Sequence, residues 1–407
     1  MRRRVVVTGI GLHTPLGDDV AGVFDAVLAG RTASVRSVEW AAIPDLRTAV
    51  WAPVPDFDGS HIPRRARRTM GRVAQLAASA AEAAVRSSGI PMETLQDGET
   101  AVVVGSTDGS SAAEYDWIAH LLAHGPRSLK STTYFQVMPH TCAANVALHL
   151  GIQGEILATN AACASSNQAI GVAAQRIRDG YVRRALAGGA EELHLLSAVV
   201  FNAVDAASTS YNDDPDSTPR PFDRGRDGIV VGEGAGILLL EERQAALERG
   251  ATILAEVAGS ASSCDAVHIV SPEPDAMVRT IHRALADAML PADAVDYVNA
   301  HATGTVAGDA SEAEALYRVF GDRVPVSSTK GHLGHTLGAC GAIETALCIQ
   351  SLLRGIVPAN RNLVDPDVAP VDLVRTPREL QARTILNTNF AFGGVNSCVL
   401  LAAHRED

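Results

Sequence analysis

The sequence lacks the long apolar runs, paired cysteines and excess positive charge that characterise several large protein classes. Its apolar runs, such as 229–231 and 237–240, are far shorter than the ~18 residues that a membrane-spanning helix needs. The six cysteines include no CxxC pair, which argues against a structural zinc site and against a disulfide framework. The net charge of −12 argues against a broad nucleic-acid-binding surface. Since no secretory signal is visible, we expect a cytoplasmic protein that binds neither membranes nor nucleic acids.

Lysine is also scarce, because only Lys130 and Lys330 occur among the 34 basic residues. The excess of arginine and alanine is typical of a GC-rich coding sequence, so a retained lysine is a candidate for a specific role. In other respects the composition is that of a folded protein. A chain of 407 residues that is 47% hydrophobic can bury a large core.

Short β-like runs alternate with alanine-rich helical stretches, which predicts an α/β protein. A boundary near Gly250 divides the chain into an N-terminal half, 1–250, and a C-terminal half, 251–407, of comparable layout. The predicted strands are 4–8, 101–104, 156–159, 184–187, 236–240, 295–299, 384–387 and 397–401. The predicted helices are 64–88, 165–179, 242–249, 273–288, 312–320 and 342–353.

The segment around Cys163 places a cysteine at a strand-to-helix elbow. A predicted strand ends near Thr159, small residues form a turn, and a helical pattern begins just after Cys163. Amide groups at the start of a helix favour a thiolate, and small neighbours let a substrate approach. On this segment alone, a nucleophilic cysteine and a buried structural cysteine are equally good interpretations.

Two further segments carry histidines in loops of small and hydroxyl residues. A predicted strand leads into His301, which Thr303 and Thr305 follow. Lys330 precedes His335 by five residues in a glycine-rich approach to a helix. Such loops suit catalytic histidines, although each histidine alone could equally be satisfied by backbone carbonyls.

The last informative segment contains Phe390 and Phe392 and continues into Gly393 and Gly394. Glycines leave backbone amides free to form an oxyanion hole. A cysteine, two histidines and a lysine at strand-to-loop junctions together indicate one acyl-transfer site.

These four segments, in this order, resemble the β-ketoacyl-(acyl carrier protein) synthase family, the elongating condensing enzymes of fatty-acid and type II polyketide synthesis. The resemblance covers nearly the whole chain and includes the stretches 6–11 and 220–236. It implies a thiolase-like α/β fold, in which two similar halves form a five-layer αβαβα sandwich, and it implies a dimer.

The resemblance also implies a decarboxylative condensation and a role for each segment. Cys163 is expected to carry the acyl group, while His301 and His335 polarise the malonyl thioester and promote loss of CO2. Backbone N–H groups of Cys163 and Phe392 are expected to form the oxyanion hole, with the Phe392 ring as a gate. Lys330 is expected to support the site. The other residues expected at the site are Glu312 as the carboxylate beside Lys330, Asp309 behind the loop, Thr303 and Thr305 on the pantetheine arm, and Phe201 and Phe390 beside the substrate.

Three positions depart from the usual family pattern. Ser166 and Asn167 follow Ser165 where glycine is common, and Ala302 stands where glycine is usual. Asp108 occupies a position at the deep end of the acyl tunnel that is apolar in fatty-acid enzymes, and a carboxylate is costly to bury beside a saturated chain. Asp108 is expected to lie near a pocket for a polar, short or unsaturated chain, to face a partner subunit, or to cap the following turn. The departures favour a polyketide or specialised pathway over housekeeping fatty-acid elongation.

A basic surface is expected to dock the acidic acyl carrier protein, which brings the phosphopantetheine, so no bound metal or organic cofactor is expected. Arg64, Arg68 and Arg72 are four residues apart and would share one face of the predicted helix. A solvated face paired with acids is the alternative. The residues expected to dock the carrier are Arg64, Arg65, Arg68, Arg127, Lys130 and Arg220.

Two other functions fit the sequence less well. A non-catalytic chain-length subunit would lack Cys163, and a thiolase or an initiating synthase that uses coenzyme A esters would lack the pair of histidines. The chain is expected to form a homodimer or to pair with a chain-length-factor-like subunit. Whether a monovalent cation binds near Glu344 and Asn387 stays open.

Overall fold

The computed structural model describes residues 2–270 and 272–404. The strands in this part of the chain are β1 (Val5–His13), β2 (Val35–Arg36), β3 (Val50–Ala52), β4 (Thr100–Gly105), β5 (Ile156–Leu157), β6 (Arg184–Glu191), β7 (Val231–Gly232), β8 (Gly234–Glu242), β9 (Ala255–Cys264), β10 (Tyr297–Asn299), β11 (Pro325–Ser327), β12 (Ile356–Val357), β13 (Asp372–Leu373), β14 (Arg378–Glu379), β15 (Thr384–Ala391) and β16 (Val395–Ala402).

The α-helices of the same residues are α1 (Val20–Leu28), α2 (Val38–Ala41), α3 (Arg64–Arg67), α4 (Arg72–Ser88), α5 (Met92–Leu95), α6 (Ser111–His124), α7 (Ser131–Val137), α8 (Thr141–Leu150), α9 (Ser165–Arg178), α10 (Leu195–Ala203), α11 (Arg243–Glu248), α12 (Pro274–Ala288), α13 (Val306–Phe320), α14 (Lys330–Leu333) and α15 (Cys340–Arg354). Among these residues, no helix is both long and apolar enough to cross a membrane.

Eleven strands hydrogen-bond into one sheet, in which the same order of strands occurs twice. The N-terminal half contributes β5-β4-β6-β8-β1, and the C-terminal half contributes β9-β16-β15-β10-β11-β13. In each half the first strand lies at the centre beside the last strand, and the strands farther out run parallel to one another. The two halves join where β1 pairs antiparallel with β9. This repeated order supports an internal duplication.

Helices cover both faces of this long sheet in distinct layers. Helices α9 and α15 are almost fully buried and contact strands of both halves, so they form the middle layer. Helices α4 and α8 pack on the outer face of the N-terminal half, and α12, with α13 beside it, covers that of the C-terminal half. The expected five-layer αβαβα sandwich is therefore confirmed.

The structure contains elements that the prediction lacks, including helices α1, α6, α8 and α10, and two further differences have a clear physical reason. Strand β9 is absent from the prediction, because its run of Ala, Ser and Gly carries little hydrophobic signal, although its N-terminal residues alternate between buried and partly exposed. The predicted helix 64–88 is divided into α3 and α4, because the chain leaves helical geometry at Gly71, where ψ is 175°. The predicted boundary near Gly250 falls between α11 and β9 and stays a prediction.

Candidate active site

Three parallel strands of the C-terminal half direct the predicted site segments to one place. Strand β10 lies between β11 and β15, and all three run in the same direction. The carboxyl ends of parallel strands meet at one edge of a sheet, where α/β proteins commonly bind ligands. His301 follows β10, Lys330 follows β11, and Phe392 follows β15. The fold thus brings together residues that are up to about ninety positions apart.

Cys163 lies in the turn just before α9, and it reaches the same edge from the N-terminal half. Its neighbour Ala162 has a φ of 48°, a left-handed conformation that makes the turn sharp enough to present the thiol. The sulfur lies 2.9 Å from Nε2 of His335. The sequence predicted that the helix start would favour a thiolate. Instead, burial raises the pKa of Cys163 to about 12, although the charge of Lys330 lowers it, so the resting group is a thiol.

His301 and His335 face each other in this site. Their ring centroids are 5.2 Å apart and their planes meet at 83°. Burial, together with the charge of Lys330, lowers the pKa of both rings well below the usual value for histidine. Both imidazoles are therefore neutral at physiological pH. A neutral imidazole can donate one N–H to a developing oxyanion, or accept one proton from a thiol.

Lys330 forms a buried ion pair with Glu344, whose carboxylate accepts a short hydrogen bond from Nζ. Burial opposes the charge, but the carboxylate outweighs it and raises the pKa of Lys330, so the group stays an ammonium. The resemblance pointed to Glu312 as the adjacent carboxylate, whereas the hydrogen-bonded partner is Glu344. Helix α15 turns Glu344 towards Lys330, although fourteen residues separate them in the sequence.

Glu312 and Asp309 hold the loop that carries His301. Glu312 accepts hydrogen bonds from the backbone N–H groups of His301 and Ala302, at 2.8 and 2.7 Å. Asp309 accepts from the backbone of Phe222 at 2.8 Å and of Gly304 at 3.1 Å. Burial raises the pKa of Glu312 to about 7 and that of Asp309 to about 6. Glu312 also accepts from the Thr388 hydroxyl at 2.7 Å. Because the other hydrogen bonds go to the backbone, these carboxylates fix the geometry of the loop.

A cavity of about 300 Å³ opens onto the thiol and both imidazoles. Thr303 and Thr305 lie on its wall, and their hydroxyl oxygens are 3.2 Å apart. The rings of Phe201 and Phe392 are 5.7 Å apart, and Phe390 lines the same space. The structure therefore brings these predicted substrate contacts to one cavity, with polar walls on the Thr303 side and aromatic walls on the other.

Cys163, His301 and His335 are also the residues that could hold a metal ion in the described part of the chain. One potential ligand atom from each lies within 4.8 Å of the others. A thiolate and two neutral imidazoles are ligands that suit zinc. The same three groups already form the hydrogen-bonded thiol–imidazole pair with a second imidazole beside it, which is an arrangement for acyl chemistry.

Asp108 does not line this cavity, contrary to its predicted place beside the acyl chain. Its side chain is exposed in the single chain, since residues 107–109 form bends that carry it outward after β4. It does not cap the following helix either, because Ser110 is the N-cap of α6 and accepts from the backbone of Ala113. Of the three alternatives, the position facing a partner subunit is the one that this exposure allows.

The predicted docking residues fall into two groups. Arg64, Arg65, Arg68, Arg127 and Lys130 are exposed on the single chain. Arg220 instead pairs with Asp223 at 3.0 Å, and only 15% of its side chain is exposed.

Arg72 was also predicted to lie on the exposed arginine face. Instead its guanidinium forms a bidentate ion pair with Glu233, at 2.7 and 2.8 Å. Each of these two arginines is neutralised by its own acidic partner, Arg72 by Glu233 and Arg220 by Asp223. Neither residue therefore contributes a free charge to a docking surface.

Sequence reasoning assigned no role to Asn389, which the structure places at the centre of the site. Its side-chain nitrogen lies 3.2 Å from Nδ1 of His301 and 2.9 Å from Glu344. The signal that could have found it is alternation along β15. Asn387 and Asn389 are two residues apart on a buried strand, and a buried amide needs polar partners.

Comparison with known proteins agrees with this geometry. The Beta-ketoacyl synthase N-terminal domain matches residues 2–246, and the C-terminal domain of the same family matches residues 254–364. Nodulation protein E of Rhizobium sp. (strain N33) is 37% identical over 98% of each chain. The tetracenomycin polyketide synthase ketoacyl synthase alpha subunit of Streptomyces glaucescens is 34% identical, over 99% of this chain and 98% of that protein.

Among solved structures, a β-ketoacyl synthase from Burkholderia phymatum STM815 superposes with a TM-score of 0.96 and is 42% identical. The match covers 99% of this chain and 100% of that chain. The similarity thus extends over both halves, including every segment that contributes to the cavity. The chain belongs to the β-ketoacyl synthase family, whose members are acyltransferases that catalyse a condensation between acyl groups.

Proposed function

We propose that this chain is the ketosynthase subunit of a type II polyketide or specialised fatty-acid system, with Cys163 as its acyl-carrying nucleophile. The observation that supports this most directly is the 2.9 Å contact between the Cys163 sulfur and Nε2 of His335, with a second neutral imidazole opposite. The proposal assigns the substrates to an acyl carrier protein, on which the phosphopantetheine arrives.

In the first half-reaction, the Cys163 thiol attacks the acyl thioester of the carrier protein. His335 accepts the thiol proton, and the carrier thiol leaves with a proton as the acyl–Cys163 thioester forms. A base is needed because burial holds the pKa of Cys163 near 12. Backbone N–H groups of Cys163 and Phe392 are the proposed donors to the tetrahedral oxyanion.

In the second half-reaction, malonyl carrier protein enters the emptied site. N–H groups of His301 and His335 donate to the thioester carbonyl oxygen while the bond to the carboxylate breaks, which releases CO2 and leaves an enolate. The enolate carbon attacks the acyl–Cys163 carbonyl, and the thiolate departs. The product is a β-ketoacyl carrier protein. Thr303 and Thr305 are the proposed hydrogen-bond partners of the pantetheine arm, and the Phe392 ring is the proposed gate between the two steps.

A partner subunit is part of the proposal, either a second copy or a chain-length-factor-like chain. Helix α6 presents Tyr115, Ile118 and Leu122 on one face, and Tyr134 and Phe135 of α7 are also exposed. Leu122 is 82% exposed, which is unusual for a leucine in a stable monomer. The relative from S. glaucescens is itself named as an alpha subunit, which supports a paired assembly. The name of this relative also supports a polyketide pathway. Asp108 no longer provides that support, because it does not line the cavity.

The proposed reaction is tested by intact-mass analysis of the products formed from malonyl carrier protein and a panel of acyl carrier primers. We expect each accepted primer to appear first on Cys163 and then on the carrier as a β-ketoacyl chain that is two carbons longer. The assay is run with and without a co-purified partner subunit. An enzyme that stays unacylated with every primer under both conditions would refute the proposal.

The exposed arginines of α3 and its end are proposed to dock the carrier protein. Converting Arg65 and Arg68 together to glutamate should raise the KM for malonyl carrier protein by about 10-fold, because it reverses the local field that attracts an acidic partner. Activity with a small thioester mimic, measured in the same assay, should stay within about 2-fold. Arg283→Glu is the matched control, since Arg283 is exposed on α12 in the other half. Equal losses with the carrier and the mimic would contradict a docking role.

A further inference from the structure

Asn389 lies on β15 directly behind His301, and it is completely buried. Its side-chain nitrogen is 3.2 Å from Nδ1 of His301 and 2.9 Å from Oε2 of Glu344. The other carboxylate oxygen of Glu344 accepts from Lys330. A continuous chain of contacts therefore runs from the Lys330 ammonium through Glu344 and Asn389 to the back of the His301 ring.

The carboxylate sets the orientation of the Asn389 amide. Burial raises the pKa of Glu344, but its Oε1 pairs directly with the Lys330 ammonium, so we treat the group as a carboxylate. A carboxylate can only accept hydrogen bonds, so the NH2 group of Asn389 must face it. The amide oxygen then points towards Gly341, where a methyl group would lie only 2.4 Å from it. That oxygen has no hydrogen-bond partner. A buried carbonyl is costly to leave unpaired, so the contacts of the NH2 group must outweigh this cost.

The direction of this hydrogen bond determines which nitrogen of His301 carries the proton. Three acceptors surround the side-chain nitrogen of Asn389: Glu344 at 2.9 Å, Nδ1 of His301 at 3.2 Å and the Cys340 sulfur at 3.5 Å. Because sulfur is the weaker and more distant acceptor, we assign one N–H to Glu344 and the other to Nδ1 of His301, which leaves the ring proton on Nε2. Nε2 is then the atom with which the ring can donate into the cavity. His335 differs, because its Nδ1 is buried without a partner while its Nε2 contacts the Cys163 sulfur.

We infer that Asn389 is a positioning residue that holds His301 in the Nε2-protonated form, so that this ring donates to the malonyl thioester oxygen in every turnover. The inference rests on the proposed decarboxylative function and adds to it an asymmetry between the two histidines. His301 is a fixed donor, whereas His335 is free to exchange a proton with the thiol. Asn389 acts only through His301 and touches no reacting atom.

The direct test is the ¹⁵N NMR spectrum of the full-length enzyme with labelled histidine, in which His301→Gln identifies the His301 signals. We expect Nε2 to show the shift of a protonated nitrogen and Nδ1 that of an acceptor. In Asn389→Leu, where no N–H is offered, the two signals should move towards values for mixed tautomers. A wild-type His301 protonated at Nδ1, or shifts that Asn389→Leu leaves unchanged, would overturn the inference.

Kinetics give a second readout that a merely structural role would not produce. Asn389→Leu should slow decarboxylation of malonyl carrier protein by about 10- to 100-fold, which is less than the loss of a whole oxyanion donor. Acylation of Cys163 should stay within about 3-fold, because it depends on His335. Equal losses in both half-reactions would count against the inference.

Asn145→Leu is the matched control, because Asn145 is also buried but bonds to Thr69 and Thr141, away from the histidines. It should leave the His301 shifts and the ratio of the two rates unchanged. The NMR measurement needs no substrate. If the wild-type enzyme neither loads acyl groups nor decarboxylates malonyl carrier protein, the proposed function fails while the tautomer of His301 is still decided.

Discussion

Cys163→Ala is expected to abolish acyl loading and to lower condensation by at least about 10³-fold, while decarboxylation of malonyl carrier protein remains measurable. The reason is the proposed division of roles in the cavity, in which the thiol alone forms the acyl thioester and the imidazoles stabilise the enolate. Loading is followed by intact mass and decarboxylation by release of CO2. Cys348→Ala, which removes a buried thiol of α15, is the control and should retain activity.

The converse variant is His301→Ala, which should still load acyl groups on Cys163 but lose decarboxylation by about 10²- to 10³-fold, the usual effect of removing one oxyanion donor. The two variants together separate the half-reactions. Condensation that survives in Cys163→Ala would exclude this residue as the nucleophile. Acyl loading that falls in His301→Ala as far as decarboxylation does would show that the histidines are not specialised.

Breaking the pair between Lys330 and Glu344 should produce the largest loss of stability. Removal of one partner from a buried ion pair costs about 3–5 kcal/mol, because the other charge stays in the interior without compensation. Glu344→Gln leaves the Lys330 ammonium in that state. In Lys330→Met, burial raises the pKa of Glu344, so the carboxyl group is expected to take up a proton instead. The free energy of unfolding is measured in urea at fixed protein concentration, since a subunit interface would also stabilise the fold.

Two comparisons separate the buried charge from a general effect of mutation. Lys330→Met combined with Glu344→Leu should recover part of the stability that Glu344→Gln loses, because no charge is then buried alone. Arg318→Met is the surface control, since Arg318 pairs with Glu314 and Asp275 in solvent and should change stability little. If Glu344→Gln is as stable as the parent, the pair contributes nothing to folding.

The residues proposed to carry the chemistry could be identified because each stands in a short local pattern. A strand, a turn of small residues and a helix define the place of Cys163, and similar patterns define those of His301 and His335. Periodicity also located most of the long strands and helices near their observed positions. Local patterns cannot, however, predict which side chains come into contact when they are far apart in the sequence.

The errors at the site concern such contacts, or the burial that results from folding. The partner of Lys330 is set by how α15 packs, and this put Glu344 in the place expected for Glu312. Arg72 was expected on a free arginine face, but it pairs with Glu233, which lies between β7 and β8 about 160 residues further along the chain. For Asp108, a place near the acyl chain, a place facing a partner subunit and a capping role were all open, and the path of the backbone after β4, which carries it to the surface, allows the second. The pKa of Cys163 also depends on burial, which the helix-start pattern does not reveal.

The pairing of β1 with β9 limits how a substrate can reach the cavity. An enzyme made of two halves could admit a long acyl arm by hinge opening, as a clamshell does. Here such a motion would break the hydrogen bonds between β1 and β9, which pair Val6 and Val7 with Glu256 and Ala255. It would also separate α9 and α15 from strands that they contact in both halves. This pairing therefore argues against hinge opening of the two halves as the route of entry. The turn after Phe392 contains Gly393 and Gly394, whose φ values of 82° and 72° lie in the left-handed region that favours glycine. An acyl arm is then expected to enter the cavity while the two halves keep their relative positions.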